Sequence, residues 1–218
     1  MPRILEGFPI SNGMKIIEGI KLKGRPAEIP DCSREELPEF FLEMGFKTGI
    51  EIGVYTGTYT ESFAKVGLRI YGVDPWLAYP DNALHSLPKH QKRLDLQYEQ
   101  TKARLAPYSN CTLIRKTSMD AVKDFNDVSL DFVYIDGNHL FKYVIEDIWE
   151  WSKKIKVGGV IAGHDYVFTR PKSFHVHEAV DAYTTAFRMD FFVLGRKNGL
   201  EGEKRDQPRS WMWIKKAG

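Results

Sequence analysis

Residues 130–166 constrain the fold of this chain more than any other stretch of its sequence. The run 132–135 is apolar, rich in β-branched and aromatic residues and too short for a stable helix, so it predicts a buried strand, which an Asp-Gly pair ends. From His139 onward, apolar residues recur every three or four positions between charged ones, which predicts an amphipathic helix. Residues 160–162 predict a second strand, so the whole pattern is strand, helix, strand.

Such a unit places its two strands parallel, with their carboxyl ends at the same edge of the sheet. Asp136 and Asp165 follow these two ends, and His139 and His164 lie beside them in the sequence. Open α/β sheets bind their ligands at this edge. We therefore expect two carboxylates and two imidazoles to converge on one functional site.

Each of these residues also has an ordinary structural explanation. Asp136 has a side chain suited to capping the helix that starts near His139. His139 is compatible with a first-turn histidine that has no chemical role, because an imidazole is distinguished only by its neighbours. His164 and Asp165 are compatible with a hydrogen-bonded structural pair. The residues alone leave these alternatives open.

A second informative block, residues 48–60, combines a strand, a glycine-bearing turn and the start of a helix. Gly53 and Gly57 allow the backbone to come close to a ligand, and the helix start offers free amides. Glu51 at the strand end is costly to bury without either a ligand or a lysine partner. The next strand ends in Asp74, where a carboxylate can accept hydrogen bonds from both hydroxyls of a ribose.

The spacing within the turn separates cofactor classes. A dinucleotide site requires Gly-x-Gly-x-x-Gly, so that a pyrophosphate can approach the helix amides. Here the order is Glu51-x-Gly53-x-x-x-Gly57, and bulky Val54 and Tyr55 occupy the place that a pyrophosphate needs. The turn therefore favours a nucleoside without phosphates.

Strands and helices alternate before a final pair of strands, which predicts an α/β fold with a doubly wound, mostly parallel sheet of seven strands. The last two strands are expected to form a C-terminal antiparallel hairpin. The predicted strands open residues 48–60 and lie at 69–74, 112–114, 132–135, 160–162, 191–194 and 211–214. The predicted helices extend from the capping box at Ser33 to about Met44 and lie at 61–66, 94–105, 139–153 and 174–187.

The 218 residues suffice for one α/β domain, which we place at 33–218 after an N-terminal arm of residues 1–32. An aromatic, proline-containing stretch at about 75–90 is expected to form a lid or a substrate wall. The net charge of +2 argues against nucleic acid or a membrane surface as partner. Two cysteines without metal spacing and the absence of an apolar signal segment favour a cytoplasmic protein. Whether it forms a homo-oligomer stays open.

Two sequence blocks carry a resemblance to a known family. The block IDGNH at 135–139, followed by GGVIAGHDY at 158–166 and preceded by the turn at 51–57, resembles class I S-adenosylmethionine-dependent methyltransferases. It is most similar to the branch that contains macrocin O-methyltransferase and related sugar and antibiotic O-methyltransferases, over about residues 44–194. The resemblance implies a Rossmann-like fold, S-adenosylmethionine as cofactor, and O-methylation of a small hydroxylated acceptor, with sugars first among classes.

The same resemblance implies roles for residues around the cofactor. Glu51, Gly53 and Gly57 frame its methionine part, Asp74 holds the ribose, and Ser118 lies near the adenine. Trp76, close to Asp74 in the sequence, is a further candidate to cover the purine. The full set expected at the cofactor is Glu51, Gly53, Tyr55, Thr56, Gly57, Asp74, Trp76, Ser118 and Asp136.

Metal-using relatives suggest the chemistry at the residues after the two strands of the 130–166 unit. There the acid matching Asp136 is a metal ligand, the histidine matching His139 is a candidate base, and paired acids after the next strand complete the metal site. Asp165 matches one of these acids, and His164 stands where the other is often found. We expect Asp136, Asp165 and His164 to hold Mg²⁺ or another divalent cation, and His139, Asp136 and His164 to act in catalysis. A metal-independent methyltransferase with a histidine base and a non-catalytic cofactor-binding protein are the alternatives.

Overall fold

The computed structural model describes residues 12–78, 88–168 and 174–217, and eight strands of this part form one sheet in the order β1-β7-β8-β6-β5-β2-β3-β4. The strands are β1 (Ala27–Ile29), β2 (Thr48–Ile52), β3 (Arg69–Val73), β4 (Cys111–Ile114), β5 (Leu130–Ile135), β6 (Ile155–Tyr166), β7 (Phe192–Leu194) and β8 (Arg209–Ile214). The helices are α1 (Asn12–Gly19), α2 (Leu37–Glu43), α3 (Thr58–Lys65), α4 (Pro88–Leu105), α5 (Ser118–Ala121), α6 (Phe141–Lys154) and α7 (Val176–Ala186). Single 3₁₀ turns cover Arg34–Glu36 and Val122–Asp124.

The sheet confirms the predicted fold class. All neighbouring strands are parallel except β8, which pairs antiparallel with both β6 and β7, so the C-terminal hairpin is present. The predicted number of seven strands is wrong by one, because β1 adds an edge strand parallel to β7. This strand comes from the segment assigned to an N-terminal arm. It has three residues, which is too few for a recognisable period, and its pairing with a distant strand determines its conformation.

The central β5-α6-β6 unit follows the sequence pattern with two differences. Helix α6 begins at Phe141 with Leu140 as its N-cap residue, so Asp136 lies in the preceding loop and is not the cap. Strand β6 begins at Ile155 and therefore includes Gly158 and Gly159, whereas the predicted strand started at residue 160. A Cβ on Gly159 would lie 2.4 Å from a backbone oxygen of β5, so the glycine permits close pairing instead of ending the strand.

Strand β5 is buried along its whole length and divides the core in two. Phe132 and Tyr134 pack on one face against aromatic residues of α2 and α3, whereas Val133 and Ile135 pack on the other face against α6 and α7. Both faces are thus covered, as a mostly parallel sheet requires. No helix in the part of the chain that the structure describes is long and apolar enough to cross a bilayer.

Two sequence-based expectations fall wholly or partly outside the described residues. Residues 79–87, the middle of the expected lid, are not described, and α4 begins directly after them at Pro88. Residues 1–11 of the expected arm are not described either.

Candidate functional site

The carboxyl ends of the central strands open into a cleft of about 1250 Å³. Its walls come from the turn after β2, the ends of β3 and β5, the loop before α6 and the start of α5. Eight of the residues selected from the sequence line it: Glu51, Gly53, Tyr55, Thr56, Asp74, Ser118, Asp136 and His139. The cleft therefore brings the two separate sequence blocks into one site.

The turn after β2 depends on Gly53. This residue has φ +92°, a conformation that side-chain-bearing residues rarely adopt, and a Cβ here would lie 2.1 Å from the backbone oxygen of Asp136. The glycine thus lets the turn pack directly against the loop that carries Asp136. The backbones of the two loops are therefore in close contact beside the cleft.

Glu51 is 1% exposed at the end of β2, and the hydroxyl of Thr60 donates a hydrogen bond to its carboxyl group. Burial raises the pKa of Glu51 to about 8, since the Thr60 hydrogen bond and the charge of Arg34 offset only part of the desolvation. Its partner is therefore a hydroxyl and not a lysine. A positively charged ligand beside this buried carboxyl group would favour its ionised form, so Glu51 is suited to such a ligand.

Asp74 is held at the end of β3 by two backbone amides. The N–H of Tyr55 donates to Oδ2 at 2.9 Å, and the N–H of Trp76 donates to Oδ1 at 2.7 Å. Burial raises the pKa of Asp74 despite these two hydrogen bonds. A carboxylate has about four acceptor positions, so both oxygens keep capacity for ligand hydroxyls.

We expect Asp74→Asn to weaken the binding of S-adenosylhomocysteine by about 10- to 100-fold, because an amide cannot accept from two backbone N–H groups and a diol together. Calorimetric titration measures this affinity. Asp95→Asn is the control, since Asp95 is an acid on α4 that pairs with Arg115 and does not line the cleft. Equal affinities for the two variants would remove Asp74 from the site.

Two expected cofactor residues do not line the cleft. Trp76 is 1% exposed; its ring lies 4.9 Å from that of Tyr98, and its Nε1–H donates to the carbonyl of Tyr55. Trp76 therefore does not line the cleft as the expected purine contact would, whereas its neighbours Pro75 and Leu77 do. Gly57 is also outside the lining, as the N-cap of α3 with φ 74°.

Ser118 lines the cleft together with a residue that the sequence did not single out. Its hydroxyl donates to Asp147 of α6 and accepts from Nε1 of Trp151 at 2.8 Å. Asp147 is 4% exposed, and burial raises its pKa to about 7. In the sequence Asp147 looked like one more polar residue of an amphipathic helix, and only the position of α5 shows that it faces Ser118.

The raised pKa of Asp147 predicts a pH dependence of stability. The folded protein keeps a proton on this carboxyl group up to about pH 7, whereas the usual pKa is 3.8, so the contribution to stability falls as the pH rises between these values. We expect the free energy of unfolding of Asp147→Asn to be about 1–3 kcal/mol higher than that of the wild type at pH 8. Near pH 4 the two free energies should be equal. Urea unfolding at both pH values measures the difference. Glu146→Gln, at a less buried neighbour, should show no such trend.

The four residues predicted at the edge of the sheet do converge. Nε2 of His139 lies 2.9 Å from Oδ2 of Asp165 and 3.6 Å from Oδ1 of Asp136. Nδ1 of His164 lies 3.5 Å from Oδ1 of Asp165 and 3.9 Å from Oδ2 of Asp136. Asp165 thus stands between the two imidazoles.

The charges of this cluster depend on one another. Burial opposes the charged imidazole, but the carboxylates of Asp136 and Asp165 outweigh it and raise the pKa of His139 to about 9. Burial likewise opposes the charged carboxylate, yet His139 and His164 hold the pKa of Asp165 well below its usual range. Asp165 also has φ 60°, a strained conformation for a residue with a side chain. Strain and buried charge at one residue are typical of functional sites.

The cluster fits a divalent cation. One ligand atom from each of Asp136, His139 and Asp165 lies within 4.8 Å of the other two, and the buried Nε2 of His139 has no hydrogen-bond partner of good geometry. The two carboxylates suit Mg²⁺ or Mn²⁺, and the imidazole suits a softer divalent metal. The third member of this group is His139, where the sequence-based set had His164. His164 instead lines a second, smaller depression of about 600 Å³ beside the cleft.

Arg34 joins the cleft to this second depression, since it lines both. Its Nη1 lies 3.3 Å from Oδ2 of Asp136, and its guanidinium lies over the ring of Tyr59, 5.0 Å from the centroid. No sequence pattern singles out Arg34 as a site residue, because it stands inside a capping box that explains the local pattern by itself.

Comparison with known proteins agrees with this site. A family model described as "Methyltransferase domain" matches residues 50–166, which include both sequence blocks and the cleft residues from Glu51 to His139. An uncharacterized protein of Sinorhizobium fredii is 36% identical over 53 residues, which are 24% of this chain and 6% of that protein. The chain thus spans a small fraction of the length of this relative.

Solved structures share the fold at low sequence identity. An O-methyltransferase from Bacillus cereus in complex with S-adenosylhomocysteine has a TM-score of 0.55 at 14% identity, covering 97% of this chain and 94% of that one. TomG, an O-methyltransferase from Streptomyces achromogenes involved in tomaymycin synthesis, has a TM-score of 0.56 at 14% identity. The match covers 84% of this chain and 79% of TomG. An rRNA methylase from Streptococcus thermophilus has a TM-score of 0.55 at 16% identity, and the match covers 83% of this chain and 95% of the methylase. At these identities the likeness supports the fold, and it does not distinguish acceptors.

Proposed function

Because this chain belongs to the methyltransferase-domain family, we propose that it transfers the methyl group of S-adenosylmethionine to a hydroxyl oxygen of a small acceptor. The observation that carries the proposal is the cleft in which the Gly53 turn and Asp74 lie together. A ribose fits Asp74, whose two oxygens are oriented by backbone amides. A sulfonium and an ammonium fit the carboxyl group of Glu51, and an adenine fits the wall at Ser118. Oxygen as the methyl acceptor follows from the resemblance of residues 135–139 and 158–166 to O-methyltransferases.

We propose that the acceptor is polyhydroxylated, with sugars and glycosylated compounds first, in keeping with the resemblance to the macrocin O-methyltransferase branch. The second depression is the acceptor subsite in this proposal. It adjoins the cleft at Arg34, and charged or amide-bearing side chains dominate its walls. Such walls offer donors and acceptors for sugar hydroxyls. They are a poor match for a flat aromatic ring, which favours apolar contacts.

The chemistry requires removal of a proton from an alkyl hydroxyl, which is a poor nucleophile while protonated. We propose that Asp136, His139 and Asp165 hold a divalent cation, which when bound lowers the pKa of the acceptor hydroxyl. His164 is the proposed base. The carboxylate of Asp165 beside Nδ1 favours the tautomer with its proton there, which leaves Nε2 to accept one. Asp165 therefore orients the base and contributes to the cation site.

One observation favours a second candidate, a metal-independent methyltransferase. The guanidinium of Arg34 already places a positive charge 3.3 Å from Asp136, which is one of the proposed metal ligands. In that case His164 or His139 removes the proton without help from a cation. Activity that persists after exhaustive chelation would select this candidate.

Two measurements test the proposed function. Calorimetric titration with S-adenosylhomocysteine should give saturable binding, and a saturating concentration should raise the melting temperature. Transfer of radiolabelled methyl groups from S-adenosylmethionine is then measured over a panel of sugars, glycosides and phenols, with Mg²⁺ or with chelator. No heat and no thermal protection would overturn the proposal. Binding without transfer to any acceptor would instead indicate a non-catalytic binding protein.

A further inference from the structure

Arg34 is fixed at the mouth of the cleft through its own backbone. Its N–H donates to Oδ2 of Asp206 at 2.7 Å, and its carbonyl accepts from the hydroxyl of Tyr59 at 2.8 Å. Asp206 belongs to the segment between β7 and β8, and Tyr59 belongs to α3. Two distant parts of the chain therefore converge on the backbone of this residue, which limits where its side chain can reach.

The guanidinium is placed to bind an anion inside the cleft. It lies over the ring of Tyr59, and its side chain is 34% exposed, so it is neither buried nor free in solvent. Its contact with Asp136 involves Nη1 and is 3.3 Å long. A guanidinium has five N–H donors in a planar fork that matches a carboxylate with two hydrogen bonds. It can therefore bind a second carboxylate while it stays close to Asp136.

Positive charge is scarce in this cleft. Among the described residues that line it, the two arginines are Arg34 and Arg93; His139 also lines it, but its imidazole faces the carboxylates of Asp136 and Asp165. Six are acidic: Glu35, Glu51, Asp74, Asp136, Glu146 and Asp147. Arg93 donates to the hydroxyl of Tyr55 at 3.2 Å, on the side of the cleft where the Tyr55 amide meets Asp74. Arg34 lies at the other side, beside Asp136.

The proposed cofactor places its own anion at that second side. With the ribose at Asp74 and the adenine at Ser118, its amino acid portion extends toward Glu51 and Asp136. That portion ends in an ammonium group and a carboxylate. The ammonium suits Glu51, whereas the carboxylate needs a cation in a part of the cleft that is otherwise rich in acids.

We propose that Arg34 binds the carboxylate of the amino acid portion of S-adenosylmethionine and thereby determines selectivity for the intact cofactor over its decarboxylated form. This inference rests on the proposed function. Arg34 touches the cofactor in this arrangement, and its contact with Asp136 holds the guanidinium toward the centre of the cleft.

The test compares two ligands that differ in this carboxylate alone, S-adenosylhomocysteine and S-adenosyl-3-thiopropylamine. Wild-type protein should bind S-adenosylhomocysteine about 10- to 100-fold more tightly, the range expected for a charge-assisted pair. Arg34→Gln should lower the affinity for S-adenosylhomocysteine by a similar factor and change that for the amine by less than about threefold. Arg34→Lys should recover part of the selectivity, since it restores the charge without the fork.

Arg93→Gln is the matched control, because it removes the other cleft arginine and should leave the ratio of the two affinities unchanged. Equal weakening of both ligands by Arg34→Gln would mean that Arg34 only supports Asp136, and would overturn the inference. A wild-type ratio near one would overturn it as well, while the proposed function would stand. Failure of wild type to bind either ligand would overturn the proposed function itself. If Arg34→Gln does not fold, the inference is tested by the ratio of the two ligand affinities in wild-type protein and in Arg34→Lys.

Discussion

Replacing Asp165 with asparagine is expected to lower the rate of methyl transfer by about 10²- to 10⁴-fold, the range for loss of a positioned acid–base group. The affinity for S-adenosylhomocysteine should change little, because Asp165 does not line the cleft. Asparagine has nearly the same shape and tolerates the left-handed conformation at φ 60°. The substitution therefore removes the negative charge between His139 and His164 and leaves the backbone in place.

Asp181→Asn is a suitable control for this experiment. Asp181 on α7 also neighbours a histidine, with Oδ2 3.4 Å from Nε2 of His177, and it accepts from the hydroxyl of Tyr166. It does not line the cleft, so its substitution should leave the transfer rate within about threefold of wild type, as is usual for substitutions away from the chemistry. Single-turnover rates and calorimetric affinities separate the effect on chemistry from the effect on binding. An Asp165→Asn rate above one tenth of wild type would remove Asp165 from the mechanism.

The second large effect is expected from Gly53→Ala. A Cβ at this position would lie 2.1 Å from the oxygen and 2.4 Å from the carbon of the Asp136 carbonyl, so a backbone segment has to move. Overpacking and an unfavourable φ together should cost about 3 kcal/mol or more. For a chain of this size that corresponds to a fall of roughly 6–12 °C in melting temperature. Cofactor binding should be lost as well, because the displaced loop carries Asp136.

Gly67→Ala separates the two causes. Gly67 also has φ 92°, but no atom lies within 4 Å of the position that its Cβ would take. The same backbone strain without the clash should cost about 1–2 kcal/mol. Scanning calorimetry of the two variants under one condition gives the comparison. If they melt at the same temperature, close contact between the two loops does not matter for stability.

Most of the fold could be predicted from the sequence because the patterns that indicate its central strands and helix lie within short stretches of the chain. The change of period within residues 130–166 predicted β5, α6 and β6, and the glycine turn and Asp74 predicted the edge at which the cleft lies. The first strand was missed, since its three residues acquire their conformation by pairing with β7. Pairing over such a distance leaves no period in the sequence.

Within the site, sequence position predicted which residues converge but not how their side chains are directed. Trp76 follows Asp74 closely, yet the backbone at Trp76 has φ 45°, and the ring packs into the protein. His139, and not His164, groups with the two acids around one potential metal position. Arg34 and Asp147 escaped notice because each had a sufficient local explanation, one as part of a capping box and the other as a polar helix residue.

The hydrogen bond between Asp206 and the backbone of Arg34 limits how the acceptor specificity of such a protein can change. The segment that joins the last two strands borders the proposed acceptor subsite, so natural or engineered exchange of this segment is an obvious route to new acceptors. The same segment anchors the residue proposed to recognise the methyl donor. A grafted segment that omits Asp206 would therefore sacrifice donor affinity while it changes acceptor choice, and libraries built at this position should keep that aspartate constant.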